Sequence, residues 1–193
     1  MSGKRASWLK AKAAVLATAL FGIGNSSNAF LILKTKDIGA SLTTTILIYA
    51  GFNLVAALIS YPAGFWSDRF GRRTLLVVAV AVFFVTYLGF ALTRNVAFIG
   101  LLFALYGLYQ GIFRSVGKAL ASDYVHDSLH AGAIGWYNTT IGVFGLMASP
   151  LAGWLWDHRA HASVFLLGAV FAVVGTIALL VLVPAPVKRQ SAG

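Results

Sequence analysis

Two long apolar segments of the chain are separated by residues 64–73, which run Gly64-Phe65-Trp66-Ser67-Asp68-Arg69-Phe70-Gly71-Arg72-Arg73. One carboxylate and three arginines lie within these ten residues, and such a charged group between apolar segments is typical of a loop at a membrane surface. Asp68 is placed to accept hydrogen bonds or to meet the N-terminus of a helix. We expect Gly71 to form a tight turn with a positive φ, and Gly64 to let a neighbouring helix approach closely.

Six segments are apolar over about 20 residues, the length that an α-helix needs to cross a bilayer. The sequence is 59% hydrophobic and 10% charged, whereas a soluble domain has roughly 45–50% apolar and about 25% charged residues. We therefore predict an all-α integral membrane protein whose six-helix bundle covers 13–183, with a basic cytoplasmic leader at 1–12 and a cytoplasmic tail at 184–193. The predicted helices are 13–33, 42–63, 74–93, 96–121, 132–155 and 163–183.

The basic residues lie in short clusters between the apolar segments, so the net charge of +10 predicts membrane topology and lipid contact, with no nucleic-acid partner. The side with more Lys and Arg is expected to face the cytoplasm. This places both termini there and predicts the plasma (bacterial inner) membrane as the location. The cytoplasmic residues are Lys4, Arg5, Lys10, Lys12, Arg69, Arg72, Arg73, Lys188 and Arg189, and those opposite are Lys34, Lys36, Arg94 and Arg159.

The six predicted helices divide into two groups of three. The third helix of each group, 74–93 or 163–183, has no charged residue, Asn or Gln, so we expect these two to lie outside, against lipid, and the other four to surround a polar space. Residues 63–68 and 152–157 both follow the pattern Ala-Gly-aromatic-x-x-Asp. They end helices that run in opposite directions, which predicts an inverted repeat of the kind found in secondary transporters.

Polar and cationic side chains within the predicted helices are candidates for a substrate pathway. Those in 96–121 are spaced by four residues and continue to Lys118, forming a slowly rotating polar stripe. Gly107, Gly111 and Gly117 beside this stripe permit close helix contact. Each candidate has a structural alternative, because such polar groups also bond across helices without touching a substrate. The candidates are Asn25, Asn28, Tyr49, Asn53, Tyr106, Gln110, Arg114 and Asn138.

Arg114 is the sharpest candidate, because an arginine within a membrane helix is by default a hypothesis of function. No Asp or Glu lies at the centre of any predicted helix to pair with it. Three interpretations stay open: an anionic substrate, an acidic partner outside this chain, or a side chain that extends to the membrane interface. For Lys118, nearer the helix end, we favour the last of these.

The charged segment also resembles a known motif. Its pattern G-x-x-x-D-R-x-G-R-R is similar to the loop between helices two and three that marks the major facilitator superfamily. The resemblance implies one half of a twelve-helix transporter and a segment that acts as a latch while the halves rock; the alternative is a basic anchor at the membrane surface. Residues 21–30 and 150–157 resemble the seventh and eleventh helices, which implies the carboxy-terminal half. The latch residues are Gly64, Asp68, Arg69, Gly71, Arg72 and Arg73.

The functional hypothesis is a transporter half that moves a small solute by alternating access, beside a second six-helix bundle that is a second copy or a separate chain. The alternative is a truncated, non-transporting membrane protein or a partner subunit. No spacing of side chains suggests an enzyme, a metal site or a cofactor. The chain has no cysteine, and its four histidines lie in or beside predicted loops, where we expect them at the surface.

Overall fold

The computed structural model of the protein describes residues 28–123 and 127–182, and this part of the chain is helical with short connections. Five of its helices, α2 to α6, are long and apolar enough to cross a membrane, which confirms the prediction of an all-α integral membrane protein. The helices are α1 (Asn28–Asp37), α2 (Leu42–Phe70), α3 (Arg72–Leu92), α4 (Val96–Asp123), α5 (His130–His158) and α6 (Ala162–Leu182), with a 3₁₀ turn at Asp127–Leu129.

The first predicted helix is described only in its last part, α1. The rest of that helix, the predicted leader at 1–12 and the predicted tail at 184–193 lie outside the described residues. α1 continues to Asp37, beyond the predicted end at residue 33. After a short turn, the hydroxyl of Ser41 accepts a hydrogen bond from the Thr44 amide at 3.1 Å and so caps α2.

The two groups of three helices match in length. α2 and α5 have 29 residues each, and α3 and α6 have 21 each. α2 and α5 also each contain one proline, Pro62 or Pro150, without ending there, although proline removes one hydrogen bond to the preceding turn. These paired features fit two copies of one three-helix unit.

α2 is longer than predicted and ends at Phe70, not at residue 63. At 1.5 Å per residue, 29 residues extend about 43 Å, which exceeds the ~30 Å hydrocarbon core of a bilayer. The helix is therefore longer than a hydrocarbon core requires, and Asp68 and Arg69 are exposed near its end without breaking it. Prediction from hydropathy ended the helix too early, because loss of apolar character marks the membrane boundary and not the end of the helix.

An aromatic cluster joins α3, α4 and α6 at the centre of the bundle. Phe83 and Tyr87 on α3 stack with ring centroids 3.9 Å apart, and Tyr87 meets Phe165 on α6 edge to face at 5.7 Å. On α4, Tyr109 meets Phe83 at 4.9 Å. Such ring pairs contribute about 0.5–1.5 kcal/mol beyond the area they bury, and van der Waals packing of this kind holds membrane helices together.

Within the described bundle, α3 and α6 are more buried than α2 and α5. Within their apolar spans, 44% of α3 and 39% of α6 is buried, whereas only 11% of α2 and 17% of α5 is buried. The aromatic cluster accounts for the burial on α3, and α4 is the most buried span, at 56%. These fractions refer to the described bundle alone, so the arrangement with α3 and α6 against lipid and the other helices around a polar space stays a prediction.

Candidate functional site

The charged segment 64–73 forms the ends of two helices and not an extended loop. Gly71 alone separates α2 from α3, with φ at +92°, as its sequence context predicted. This conformation is strained for any residue with a Cβ. The Gly71 amide donates to the Ser67 carbonyl at 3.0 Å, and the Gly71 carbonyl accepts from the Leu75 amide at 3.2 Å. The junction therefore keeps its backbone hydrogen bonds on both sides.

Arg72 lies between two carboxylates. Its guanidinium is 3.3 Å from Asp68, one turn earlier, and its Nε contacts Asp123 at the end of α4. The Arg72 side chain is 24% exposed and those of Asp68 and Asp123 are 68% and 34% exposed, so the contact with Asp123 is the more sheltered of the two. The segment thus ties the α2–α3 junction to the second group of helices.

The other two arginines of the segment have different surroundings. Arg73 donates from Nη2 to the Leu180 carbonyl at 2.5 Å, which connects the start of α3 to the end of α6. Its Nε is buried and has no hydrogen-bond partner in the described part of the chain. Arg69 is exposed and lies over the Phe70 ring at 5.7 Å from the centroid. Of the three, Arg69 is the one placed to meet lipid phosphate.

The side of α2 to which a Cβ of Gly64 would project is open within the described bundle. A Cβ built at this position would meet no heavy atom within 4 Å. The expected close approach of a neighbouring helix therefore does not occur within the described bundle, and this part of α2 is open.

Close helix contact occurs instead at the glycines of α4, as predicted. A Cβ at Gly107 would lie 2.7 Å from the Phe52 carbonyl oxygen, and one at Gly111 would lie 2.6 Å from that of Ala56. Both oxygens belong to the backbone of α2, so they cannot rotate away. At Gly117, a Cβ would overlap the hydroxyl end of Tyr137 on α5. The absence of a side chain at these three glycines of α4 lets α2 and α5 approach it.

The polar stripe of α4 passes from the core to the surface. Tyr106 is fully buried and Gln110 is 6% exposed, whereas Arg114 and Lys118 are exposed. Residues four apart are about 40° apart around a helix with 3.6 residues per turn, so the stripe turns out of the core within two steps. The Arg114 side chain makes no hydrogen bond or ion pair with any residue that the structure describes. It lies about 14 Å along the axis from Asp123.

One pair of predicted pathway residues is brought together. The Tyr106 hydroxyl donates to the Asn28 amide oxygen at 2.9 Å, which joins α4 to α1. Asn25, one turn before Asn28, lies outside the described residues. The Tyr106 ring also packs on Phe52 of α2, at 5.3 Å between centroids. This contact is the place where α1, α2 and α4 meet.

The remaining candidates do not join this contact. On α2, Asn53 is exposed and its amide donates to the Tyr49 carbonyl at 2.8 Å, within its own helix. The Tyr49 ring is half-buried and lies 5.3 Å from that of Phe52. On α5, Asn138 is exposed. Asn53 and Asn138 therefore lie on surfaces that the described bundle leaves uncovered.

Asp123 is a residue of this site whose role the sequence did not reveal. Its negative charge was evident from the sequence, and the structure places it against Arg72. The sequence did contain a signal for this pair. The second and fourth predicted connections lie on the same side of the membrane, and the second contains arginines while the fourth contains aspartates. Spacing along the chain alone could not select this pair from the other combinations.

A search of known families gives an independent result, because a model of the Major Facilitator Superfamily matches residues 14–193. The chain belongs to the major facilitator superfamily. The sequence resemblance is thereby confirmed at the level of the family, and the charged junction at Gly71 lies between the second and third helices, as the resemblance implied.

Three known proteins show the range of similarity. The chain is 33% identical over 172 residues to an uncharacterised MFS-type transporter of Methanocaldococcus jannaschii, covering 86% of this chain and 43% of that protein. It is 28% identical over 139 residues to an uncharacterised MFS-type transporter of Bacillus subtilis, covering 72% and 34%. It is 28% identical over 151 residues to the tetracenomycin C resistance and export protein of Streptomyces glaucescens, covering 76% and 27%. The chain thus matches less than half the length of these relatives.

Proposed function

We propose that this chain is one six-helix half of a secondary transporter, and that it moves a small solute across the membrane by alternating access. The observation that carries this proposal is the exposure of α2 and α5, of whose apolar spans only 11% and 17% is buried. These two helices also contain the two copies of the repeated Ala-Gly-aromatic-x-x-Asp pattern, at Gly64 and Gly153. Exposed helices with polar groups at membrane depth favour a second protein surface over lipid alone.

The second surface would be another six-helix bundle, related to this one by an axis along the membrane normal. It is a second copy of this chain or a separate chain. Large apolar side chains on both helices remain uncovered, among them Tyr61 at 88% and Leu146 at 75% exposure. The chain's similarity to the carboxy-terminal helices of the family supports its assignment as the second half of such a pair.

The solute pathway would run along the uncovered surfaces of α2, α4 and α5. Asn53 and Asn138 are exposed on α2 and α5, and Arg114 is exposed on α4 between them in the chain. A guanidinium without a partner in the described bundle fits an anionic group, supplied by the solute or by the second bundle. Tyr106 and Asn28 would form the inner end of this pathway, supported by Gln110.

The Arg72 contacts would form and break during the transport cycle. Arg72 joins the α2–α3 junction to α4 through Asp123, and Arg73 joins it to α6 through Leu180. A rocking motion that separates these helix ends must break both contacts. In the orientation that the Lys and Arg distribution favours, this junction and both termini face the cytoplasm of a cell whose plasma membrane holds the protein.

The proposal is tested first by cross-linking in native membranes. Because the chain has no cysteine, single variants Tyr61→Cys and Leu146→Cys report the surroundings of α2 and α5 without background. Val85→Cys on α3, 58% exposed, is the matched control for a lipid-facing position. With a cross-linker that joins a maleimide to a benzophenone, whose photoreaction with C–H bonds needs no cysteine on the partner, we expect a protein adduct at α2 or α5 and none at α3. An adduct of twice the chain mass identifies a second copy, and another mass identifies a separate chain.

Equal absence of adducts at the three positions contradicts a second bundle and favours the non-transporting alternative. Where an adduct forms, the cross-linked partner is purified with the chain and reconstituted into vesicles. Tetracenomycin C is a reasoned first probe of uptake, because a relative is named for its resistance and export. Uptake by the pair, lost on Asp68→Asn, supports the latch. Unchanged uptake in that variant refutes it.

A further inference from the structure

The end of the bundle opposite Gly71 contains a cavity of about 690 Å³. It lies where α1 and α3 end and α6 begins, so it is separate from the α2, α4 and α5 surfaces of the proposed pathway. Its charged and titratable lining residues are Lys34, Asp37, Arg94 and His161. The volume is in the range of about 300–1,000 Å³ that ligand sites usually have.

Lys34 is the unusual member of this lining. The residue is only 7% exposed. Its side chain makes no hydrogen bond or ion pair within the part of the chain that the structure describes. A lysine is rarely this buried unless it is paired, and an ammonium that is partly removed from water favours an opposite charge beside it. The carbonyls at the end of α1 supply only part of the opposite charge, since a helix end carries about half a charge.

Asp37 is the acidic residue nearest to Lys34 in the lining, but it is engaged elsewhere. Its Oδ2 lies 3.0 Å from Nδ1 of His161. The His161 ring is in turn stacked on Trp156, with centroids 4.1 Å apart and planes within 1°. Trp156 also packs on Phe30 of α1. This arrangement holds Asp37 toward α6, and within the described residues it leaves Lys34 and Arg94 without an acidic partner.

We infer that this cavity binds the phosphate group of an organic anion, with Lys34 and Arg94 as its cationic ligands. The lining has two cations against one carboxylate when His161 is neutral, and three against one when it is protonated, so either state favours an anion. A guanidinium and an ammonium are the usual protein ligands of phosphate. The apolar part of the lining, which includes Ile38 and Leu92, suits the organic part of the ligand.

Two sources can supply this group: the headgroup of an anionic phospholipid, or a soluble phosphate monoester. The cavity is at the end of membrane-spanning helices, at the depth where lipid phosphates lie. The two sources are distinguished with phosphatidylglycerol and glycerol 3-phosphate as probes, each titrated against the full chain in detergent. A ligand that binds the folded state raises the midpoint of thermal unfolding with its concentration, so the titration gives an affinity.

The decisive variants are Lys34→Gln and Arg94→Gln, with Lys36→Gln as the matched control. Lys36 is exposed, lies two residues from Lys34 on the same helix, and does not line the cavity. Its variant makes the same change in net charge. We expect about tenfold to hundredfold weaker binding in Lys34→Gln and in Arg94→Gln, the range for loss of a charged hydrogen bond, and an affinity within about twofold of wild type for Lys36→Gln.

Each outcome has a definite meaning. Binding of phosphatidylglycerol alone identifies a lipid site, and binding of glycerol 3-phosphate identifies a site for a soluble phosphate. Equal weakening in Lys34→Gln and Lys36→Gln overturns the inference, because it would show that total charge and not the cavity governs binding. Absence of binding by both probes to the wild-type chain also overturns it. If Lys34→Gln does not fold, the exposed Arg94→Gln, compared with Lys36→Gln, decides in its place.

Discussion

The contact between α4 and α2 makes the most quantitative prediction. In Gly111→Ala, the new Cβ would lie 2.6 Å from the Ala56 carbonyl oxygen and 3.1 Å from Cβ of Ile59. Ordinary C–O contacts are about 3.3 Å or longer, so α2 must move by about 0.7 Å. Overpacking of this kind is destabilising by about 1–3 kcal/mol, against a gain of about 1 kcal/mol in helix propensity on replacing glycine.

Gly100→Ala is the matched control on the same helix, because a Cβ there meets nothing within 4 Å. The propensity gain is common to both variants, so their difference isolates the contact with α2. We expect Gly111→Ala to unfold with a free energy about 1–3 kcal/mol lower than Gly100→Ala. For a chain of this size that is roughly 2–10 °C in the midpoint, followed by tryptophan fluorescence in detergent. Equal midpoints would refute the assignment of close packing at Gly111.

Three further predictions concern the charged junction and the pathway. Gly71→Ala should lower unfolding stability by about 1–2 kcal/mol because of its positive φ, while Gly64→Ala, in open space, should not; equal stabilities would contradict the turn. Asp123→Asn should change the free energy of unfolding by less than about 1 kcal/mol, because the partly exposed ion pair with Arg72 is screened by solvent. The same variant should alter the rate of solute uptake, and an unchanged rate would show that the Arg72–Asp123 contact does not move during transport. Arg114→Gln should weaken the binding of an anionic solute, and equal affinity would discard that interpretation.

The five described spans, α2 to α6, and their approximate positions could be predicted from the sequence, because loss and gain of apolar character mark the membrane boundaries. The positive φ of Gly71 was also predictable, since glycine is the residue that adopts a positive φ at a tight turn without steric cost. The ends of the helices were not. Asp68 and Arg69 stop the apolar run without stopping the helix, and only Gly71 does so.

The role of Asp123 shows where sequence patterns are insufficient. The pairing of Arg72 with Asp123 joins residues distant in the chain. Among the described candidate pathway residues, Asn28 and Tyr106 are in contact between two helices, while Asn53 and Tyr49 are bonded within α2. The role of the whole set stays a prediction.

The single-residue junction at Gly71 has a consequence for proteolysis. Trypsin cleaves after arginine only where several residues unfold into an extended strand, so cleavage follows local opening. Arg69 lies in the last turn of α2, and Arg72 and Arg73 lie in the first turn of α3, with hydrogen bonds continuing across the glycine between them. The connection richest in arginine should therefore resist trypsin, while Arg94, at the non-helical connection before α4, should be cleaved more readily than Arg69, Arg72 or Arg73.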